Sequence, residues 1–205
     1  MDFEFRLMKP TEIEPVSDLV AETFSAREPL AVCLGLSKGD VFSLVKALLQ
    51  TERIRRTCVA LINGRIEGAL VSESMVDVEP KIDPDVAAKF APLFGFLGHL
   101  DSFVPESLKN NPEALFRQFM IAVRSSARGH SLGRQLVAFS NVAAKDSGFV
   151  ASMAEVTGQT SRHIFANQCG YTSLKDVVYS DLPASVPFSR LKGADRCSLV
   201  IKSLL

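Results

Sequence analysis

The stretch Phe116-Arg-Gln-Phe-Met-Ile-Ala-Val123, followed by Arg124-Ser-Ser-Ala-Arg-Gly-His-Ser-Leu-Gly-Arg134, decides how the rest of the chain is read. The first run is apolar-rich over the length of a strand and is expected to be buried on both faces. Beyond the turn, Leu132, Leu136, Val137, Phe139, Ser140 and Ala143 form a buried stripe, so Leu132 to Lys145 reads as a helix stopped by Gly148. Strand, glycine turn and helix in that order place unpaired N–H groups and about half a positive charge at one opening, which favours a phosphate. Gly129 and Gly133 would let the backbone approach such a ligand, and Arg124, Arg128 and Arg134 would add charge around it. A plain glycine turn with solvated arginines fits the same residues. A P-loop is excluded, because G-x-x-x-x-G-K-S/T is absent, and so is the dinucleotide pattern G-x-G-x-x-G.

Working outward, Phe3 to Met8 alternates as a strand, and Glu12 to Phe24 carries a helical stripe of Ile13, Val16, Leu19, Val20 and Phe24. Ser25 to Gly35 reads as irregular, and a second helix is expected from about Asp40 to Glu52. Thr57 to Ile62 and Ile66 to Ser72 flank Asn63-Gly64, a strong hairpin signal. The segment 80–112 holds four prolines before its last residue and an aromatic-rich middle; a helix near Asp85 to Phe94 and a role as lid or substrate-side insertion are expected. Downstream come a strand from Phe149 to Val156, a short helix from Thr160 to Gln168 stopped by Gly170, and strands at Thr172 to Asp181 and Arg196 to Leu204. This order describes one α/β domain over 1–205, with a mixed sheet of about seven strands flanked by four or five helices.

Lys+Arg and Asp+Glu both number 23, and this balance argues against nucleic-acid or membrane-surface binding. Uncharged runs such as Phe90 to Leu100 fall well short of the ~20 residues that span a bilayer. Met1-Asp2-Phe3-Glu4-Phe5-Arg6 places charges where a signal peptide would be apolar. Four scattered cysteines, Cys33, Cys58, Cys169 and Cys197, and three histidines suggest neither a metal site nor a disulfide framework. A cytoplasmic protein is expected, monomeric or homodimeric, with no metal.

Arg128-Gly129-His130-Ser131-Leu132-Gly133 resembles the acetyl-CoA motif Q/R-x-x-G-x-G/A of the GNAT N-acetyltransferases, with Ser131 standing where the motif has its middle glycine. The order of elements over nearly the whole chain is also similar to a GNAT domain. The resemblance implies acetyl-CoA as cosubstrate, with its pyrophosphate on Arg128 and the amides of Gly129, Ser131, Leu132, Gly133 and Arg134, and its pantetheine arm along Ile121 and Val123. That arm requires the strands before and after the turn to splay apart.

Acetylating an amine needs a base to free the nitrogen lone pair and an acid for the departing thiolate. Glu28-Pro29-Leu30 resembles the segment after the first helix of insect arylalkylamine N-acetyltransferases, where the glutamate is the general base; a loop glutamate before a proline is the plainer reading. The tyrosine that many GNAT enzymes use as acid is replaced by Ala166, and Tyr171 matches an aromatic that usually packs. Thr157 and Ser161 instead match the two hydroxyls, four residues apart, of the insect branch; Thr160 or Ser161 would serve equally as a helix cap. The phenylalanines of 90–103 suit an arylalkylamine slot or simple packing on the sheet. The expected partner is a small-molecule amine of arylalkylamine type. A polyamine or other small amine is the alternative, as is a non-catalytic acyl-CoA-binding module.

Overall fold

Seven strands in the order β1-β2-β3-β4-β5-β7-β6 form the sheet of the computed structural model, which describes residues 3–191 and 195–205. Met1-Asp2 of the charged start, and residues 192–194 of the loop expected between the last two strands, lie outside the described residues. The strands are β1 (Glu4–Leu7), β2 (Cys58–Ile62), β3 (Arg65–Ser74), β4 (Leu115–Val123), β5 (Ala151–Val156), β6 (Thr172–Val178) and β7 (Arg196–Ser203). Every pairing is antiparallel except that of β4 with β5. At the β2–β3 hairpin, Asn63 (φ 49°) and Gly64 (φ 75°) take the left-handed conformations that a tight two-residue turn needs.

Among the described residues there are seven α-helical segments where four or five were expected. These are α1 (Ile13–Arg27), α2 (Pro29–Cys33), α3 (Lys38–Leu49), α4 (Pro84–Asp101), α5 (Glu106–Lys109), α6 (Leu132–Asp146) and α7 (Gln159–Arg162), the last continued by a π-helical turn over His163–Gln168. The surplus consists of single turns. The stretch 25–35, expected to be irregular, completes α1 and then forms α2. There Pro29 occupies the first helical position, and the Glu28 carboxylate accepts the Ala31 N–H, a cap that glutamate rarely supplies.

Helix α4 holds Pro92 inside it and runs seven residues beyond its expected end, through Gly95 and Gly98. A proline inside a helix costs ~3 kcal/mol or more. Burial of Phe90, Phe96, Leu97 and Leu100 offsets that cost, because each large apolar side chain removed from water contributes roughly 1.5–3 kcal/mol. Tertiary packing therefore overrides local propensity. On α6 the buried face is Leu132, Leu136, Val137, Ser140, Asn141 and Ala144, while the expected Phe139 and Ala143 are only half-buried.

Alternation along the strands sorts the core into two layers. Val59, Leu61, Ala69 and Val71 face α1 and α3, whereas Cys58, Ala60 and Leu70 face α6. Met153, Cys197 and Leu199 meet the second half of α4. No helix among the described residues is long and apolar enough to cross a membrane.

Candidate active site

Parallel pairing of β4 with β5 stops after Leu115–Ala151, Phe116–Ser152 and Arg117–Met153. The next β4 residue paired with β3 after Gln118 is Met120, so Phe119 is bulged, and Phe119 and Met120 both pack toward α1. A bulge bends the strand that carries it. From there the two strands diverge, leaving the remainder of β4 and Ala154–Val156 of β5 without partners on the facing edges. This is the splay that the sequence could only require. Burial on both faces, expected for all of β4, gives way to half-buried Phe119, Ile121 and Val123, because these side chains line the opening.

A cavity of about 730 Å³ occupies the gap. Its donor end is the turn before α6. Gly129 (φ 82°) and Ser131 (φ 58°, ψ 23°) are both left-handed, and Ser131 caps α6 without a side-chain bond. The first-turn amides of Leu132, Gly133 and Arg134 thus lack intrahelical acceptors, and Leu132 and Gly133 line the cavity whereas Arg134 does not. The turn is fixed from behind: Arg124 N–H donates to Glu67 O (2.8 Å), Ser126 Oγ to Glu67 Oε2 (3.0 Å), and Arg27 to Ser125 Oγ (2.9 Å).

Two details depart from the sequence reading. Arg124 turns away from the opening to bond Ile66 O and Glu22, so it adds no charge there. Gly133 is small for a packing reason, since a Cβ there would lie 2.8 Å from Ile164 Cδ1. Arg128 does line the cavity, and Arg134 is exposed on α6. His130 lies against the Phe3 ring and His163 bonds Gln168.

The acceptor end joins α1–α2, α4 and β5. Pro29 sits on Gly158, where a Cβ would lie 3.3 Å from the Pro29 Cγ, and this contact brings Glu28 to the end of β5. Thr157 Oγ1 donates to Glu28 Oε1 (2.7 Å), while Ala31 N–H donates to Oε2 (2.5 Å). Removal from water pushes the Glu28 carboxyl up, and the Thr157, Ala31 and Leu30 donors pull it partly back. Thr157 is held from beneath by buried Tyr179, whose hydroxyl donates to Thr157 O (2.9 Å). Ser161 lines the cavity too, and its hydroxyl donates to Gly158 O (3.0 Å) and accepts from Gly158 N–H (3.3 Å) as a cap. Leu93, Phe94 and Leu97 of α4 and Phe119 of β4 supply an apolar wall.

Below that wall lies a charged cluster. Arg117 pairs with Asp101 of α4, with Glu155 of β5 (3.0 Å) and with Glu73 of β3 (3.3 Å); Glu73 also binds Arg53 (2.6 Å). A second buried set joins Gln118, Asn141, Ser152 and Tyr171 by bonds of 2.7–3.3 Å. Tyr171 is thereby placed in the interior, as an aromatic that packs. The Gln118 Oε1 atom is buried without a hydrogen-bond partner on the cavity wall. It suits an amide donor, as do the open edges of β4 and β5.

No protein-family model matches the sequence, and no curated protein does. Solved structures match over essentially the whole chain. Arylalkylamine N-acetyltransferase 2 from Aedes aegypti superposes with a TM-score of 0.79 at 18% identity, covering 100% of both chains. The C-terminal condensation domain of Ebony, in complex with beta-alanyl-dopamine, gives 0.83 at 16% identity, covering 98% of this chain and 99% of that one. A Drosophila melanogaster polyamine N-acetyltransferase gives 0.72 at 18%, covering 98% and 100%. The chain has the GNAT fold.

Within the GNAT fold, the elements expected to carry the site do converge on one cavity: Ile121, Val123, Arg128, Gly129, Ser131, Leu132, Gly133, Glu28, Thr157 and Ser161 all line it. Sequence reading missed Glu155, Arg117, Gln118 and Tyr179. A signal existed for the first three, each a charged or amide residue inside an otherwise apolar strand. None existed for Tyr179, which reaches Thr157 from 22 residues away.

Proposed function

We propose that the protein is an N-acetyltransferase that moves an acetyl group from acetyl-CoA to the primary amine of a small molecule, first among them an arylalkylamine. The observation that carries this reading is Glu28, a cavity-wall carboxylate held by Thr157 and Ala31 in a cavity that runs to the open amides of α6. The residues present fit acetyl-CoA. Arg128 and the amides of Gly129, Ser131, Leu132, Gly133 and Arg134 would hold its pyrophosphate, and Ile121, Val123 and Gln118 its pantetheine arm. When bound, it supplies an activated acetyl thioester.

The chain's own residues do the proton work. Glu28, with its basicity raised by desolvation, takes the proton from the acceptor ammonium, directly or through water. Thr157 and the Ala31 amide each hold one carboxylate oxygen, fixing the plane of the carboxylate toward the cavity. Ser161, turning its hydroxyl from Gly158 O, gives a proton to the departing thiolate. Segment 80–112 acts as the lid, with α4 pressing an apolar wall against the amine's carbon skeleton. Amines named for the structural neighbours, arylalkylamines and a polyamine, belong to the same chemical range.

Acetyl-CoA with a panel of amines and thiol detection tests the activity. Glu28→Gln should lower kcat by about 10²–10⁴-fold while calorimetric CoA binding stays unchanged. Because the Glu28 carboxyl is raised, wild-type kcat should fall as pH drops through that raised value, and the variant should lose this limb. Full activity in Glu28→Gln would remove the base, and Ser161→Ala at wild-type rate would remove the acid.

A further inference from the structure

Of the residues lining the cavity, two are carboxylates, and the mechanism uses only Glu28. The other is Glu155, whose side chain is 3% exposed. It lies on β5 two positions before Thr157, which directly follows the last strand residue, Val156. Thr157 holds Glu28. The two carboxylates therefore flank one stretch of cavity, with Leu93, Leu97 and Phe119 walling it.

Glu155 is incompletely satisfied. Its Oε1 lies 3.0 Å from an Arg117 nitrogen without making a hydrogen bond to it, and the neighbouring Asp101 carboxylate repels its charged form. Arg117 is shared with Asp101 and Glu73, so two guanidiniums, Arg53 and Arg117, face three carboxylates. A buried acceptor short of a donor is costly, and a ligand that supplies one recovers that cost. The apolar wall ending at a carboxylate describes a molecule that is apolar in the middle and polar at its far end.

We propose that Glu155 is a specificity residue that receives a hydrogen-bond donor on the far end of the acceptor, the end away from the nitrogen that Glu28 deprotonates. In an arylalkylamine this donor is a ring hydroxyl; in an aliphatic amine it is a second ammonium. The assignment rests on the acetyltransferase reading above and deepens it from any small amine to one that is polar at both ends.

The test compares kcat/KM for matched pairs, tyramine against phenethylamine and 1,4-diaminobutane against butylamine, in wild type, Glu155→Gln and Glu155→Leu. Wild type should prefer the member with the far-end donor by about tenfold or more in at least one pair. Glu155→Leu should abolish that preference by lowering kcat/KM for the member with the far-end donor more than for its donor-free partner. Glu155→Gln, the conservative replacement, separates the sources: an amide oxygen still accepts from a hydroxyl, so a tyramine preference survives, whereas a diamine preference is lost with the charge. CoA-induced thermal stabilisation checks that each variant is folded. Equal turnover within both pairs in wild type overturns the role of Glu155 and leaves the transferase standing. Absence of turnover with every amine, with CoA still bound, overturns both.

Discussion

The two ends of the cavity are built on different principles. The donor end is nearly all backbone: a turn, two left-handed residues and the open amides of α6, contributed by one continuous segment from Val123 to Arg134. The acceptor end is nearly all side chain, with Glu28, Thr157, Glu155, Arg117, Asp101 and the α4 wall drawn from four separate parts of the chain. Backbone amides recognise a phosphate whatever side chains surround them, so one local geometry serves. Side chains recognise shape and charge, so each must be placed by the fold. Substitutions at the acceptor end should therefore be felt through whole-molecule stability, and those at the donor end through local strain.

The largest effect is expected at Arg117. It is 13% exposed and tethers α4 to β3, β4 and β5 through Asp101, Glu73 and Glu155. Removing one partner of a buried ion pair costs about 3–5 kcal/mol, because charge is left without compensation. Arg117→Met should lose that much in urea unfolding. The pH dependence has a definite sign. Burial pushes the Glu155 carboxyl up, opposed by Arg117 and reinforced by Asp101. The folded state then holds this proton to higher pH than the unfolded state does, so the stability it contributes at low pH is lost as pH rises toward neutral. Without Arg117 the opposing pull is gone, and stability should decline more steeply over that rise than in wild type. An unchanged midpoint would show that α4 is held by its apolar face alone.

The same contrast explains what could be read before the structure. The hairpin, the turn and the periodic helices α1, α3 and α6 were legible, because each is encoded by residues close in sequence. Glu28 is legible through its place after the first helix, yet its bond to Thr157 follows from Pro29 packing on Gly158, 129 positions along. No local pattern records such a contact. Helix α4 was cut short for a related reason: Pro92, Gly95 and Gly98 weaken the local signal, and only burial against Tyr179 and Phe188 restores the helix. The Phe119 bulge, which opens the cavity, depends on register with β3 and left no trace in an apolar run.

A smaller loss is expected from Tyr171→Phe. The hydroxyl makes three buried bonds, to Ser152 (2.7 Å), Asn141 (2.8 Å) and Gln118 (2.9 Å). Deleting it leaves those groups short of a partner, at roughly 1–3 kcal/mol. Burial also pushes the phenol further up, which makes it a poor proton donor at neutral pH. Calorimetry should show a lower Tm with kcat nearly intact. A collapse of kcat at unchanged Tm would move Tyr171 from packing into the chemistry and make the acceptor end extend beneath the donor strand.

The smallest effect should run in the opposite direction. Ser131 holds φ 58° at the start of α6 and gains no cap hydrogen bond for it. A left-handed conformation costs a residue with a Cβ roughly 1–2 kcal/mol, while glycine's extra freedom in the unfolded chain takes back about 0.5–1 kcal/mol. Ser131→Gly should therefore stabilise by several tenths to about 1 kcal/mol, or roughly 1–4 °C in Tm for a chain of this size. Ser131→Ala keeps the Cβ and hence the strain, so it should show no gain, and the pair of variants isolates backbone geometry from loss of the hydroxyl. CoA affinity provides the second reading. If the turn already has its binding conformation, relief of strain should appear in stability with CoA affinity unchanged. If the strain instead lets the turn relax away in the free protein, glycine should tighten CoA as well, because less of the binding energy is then spent restoring the amides to their places.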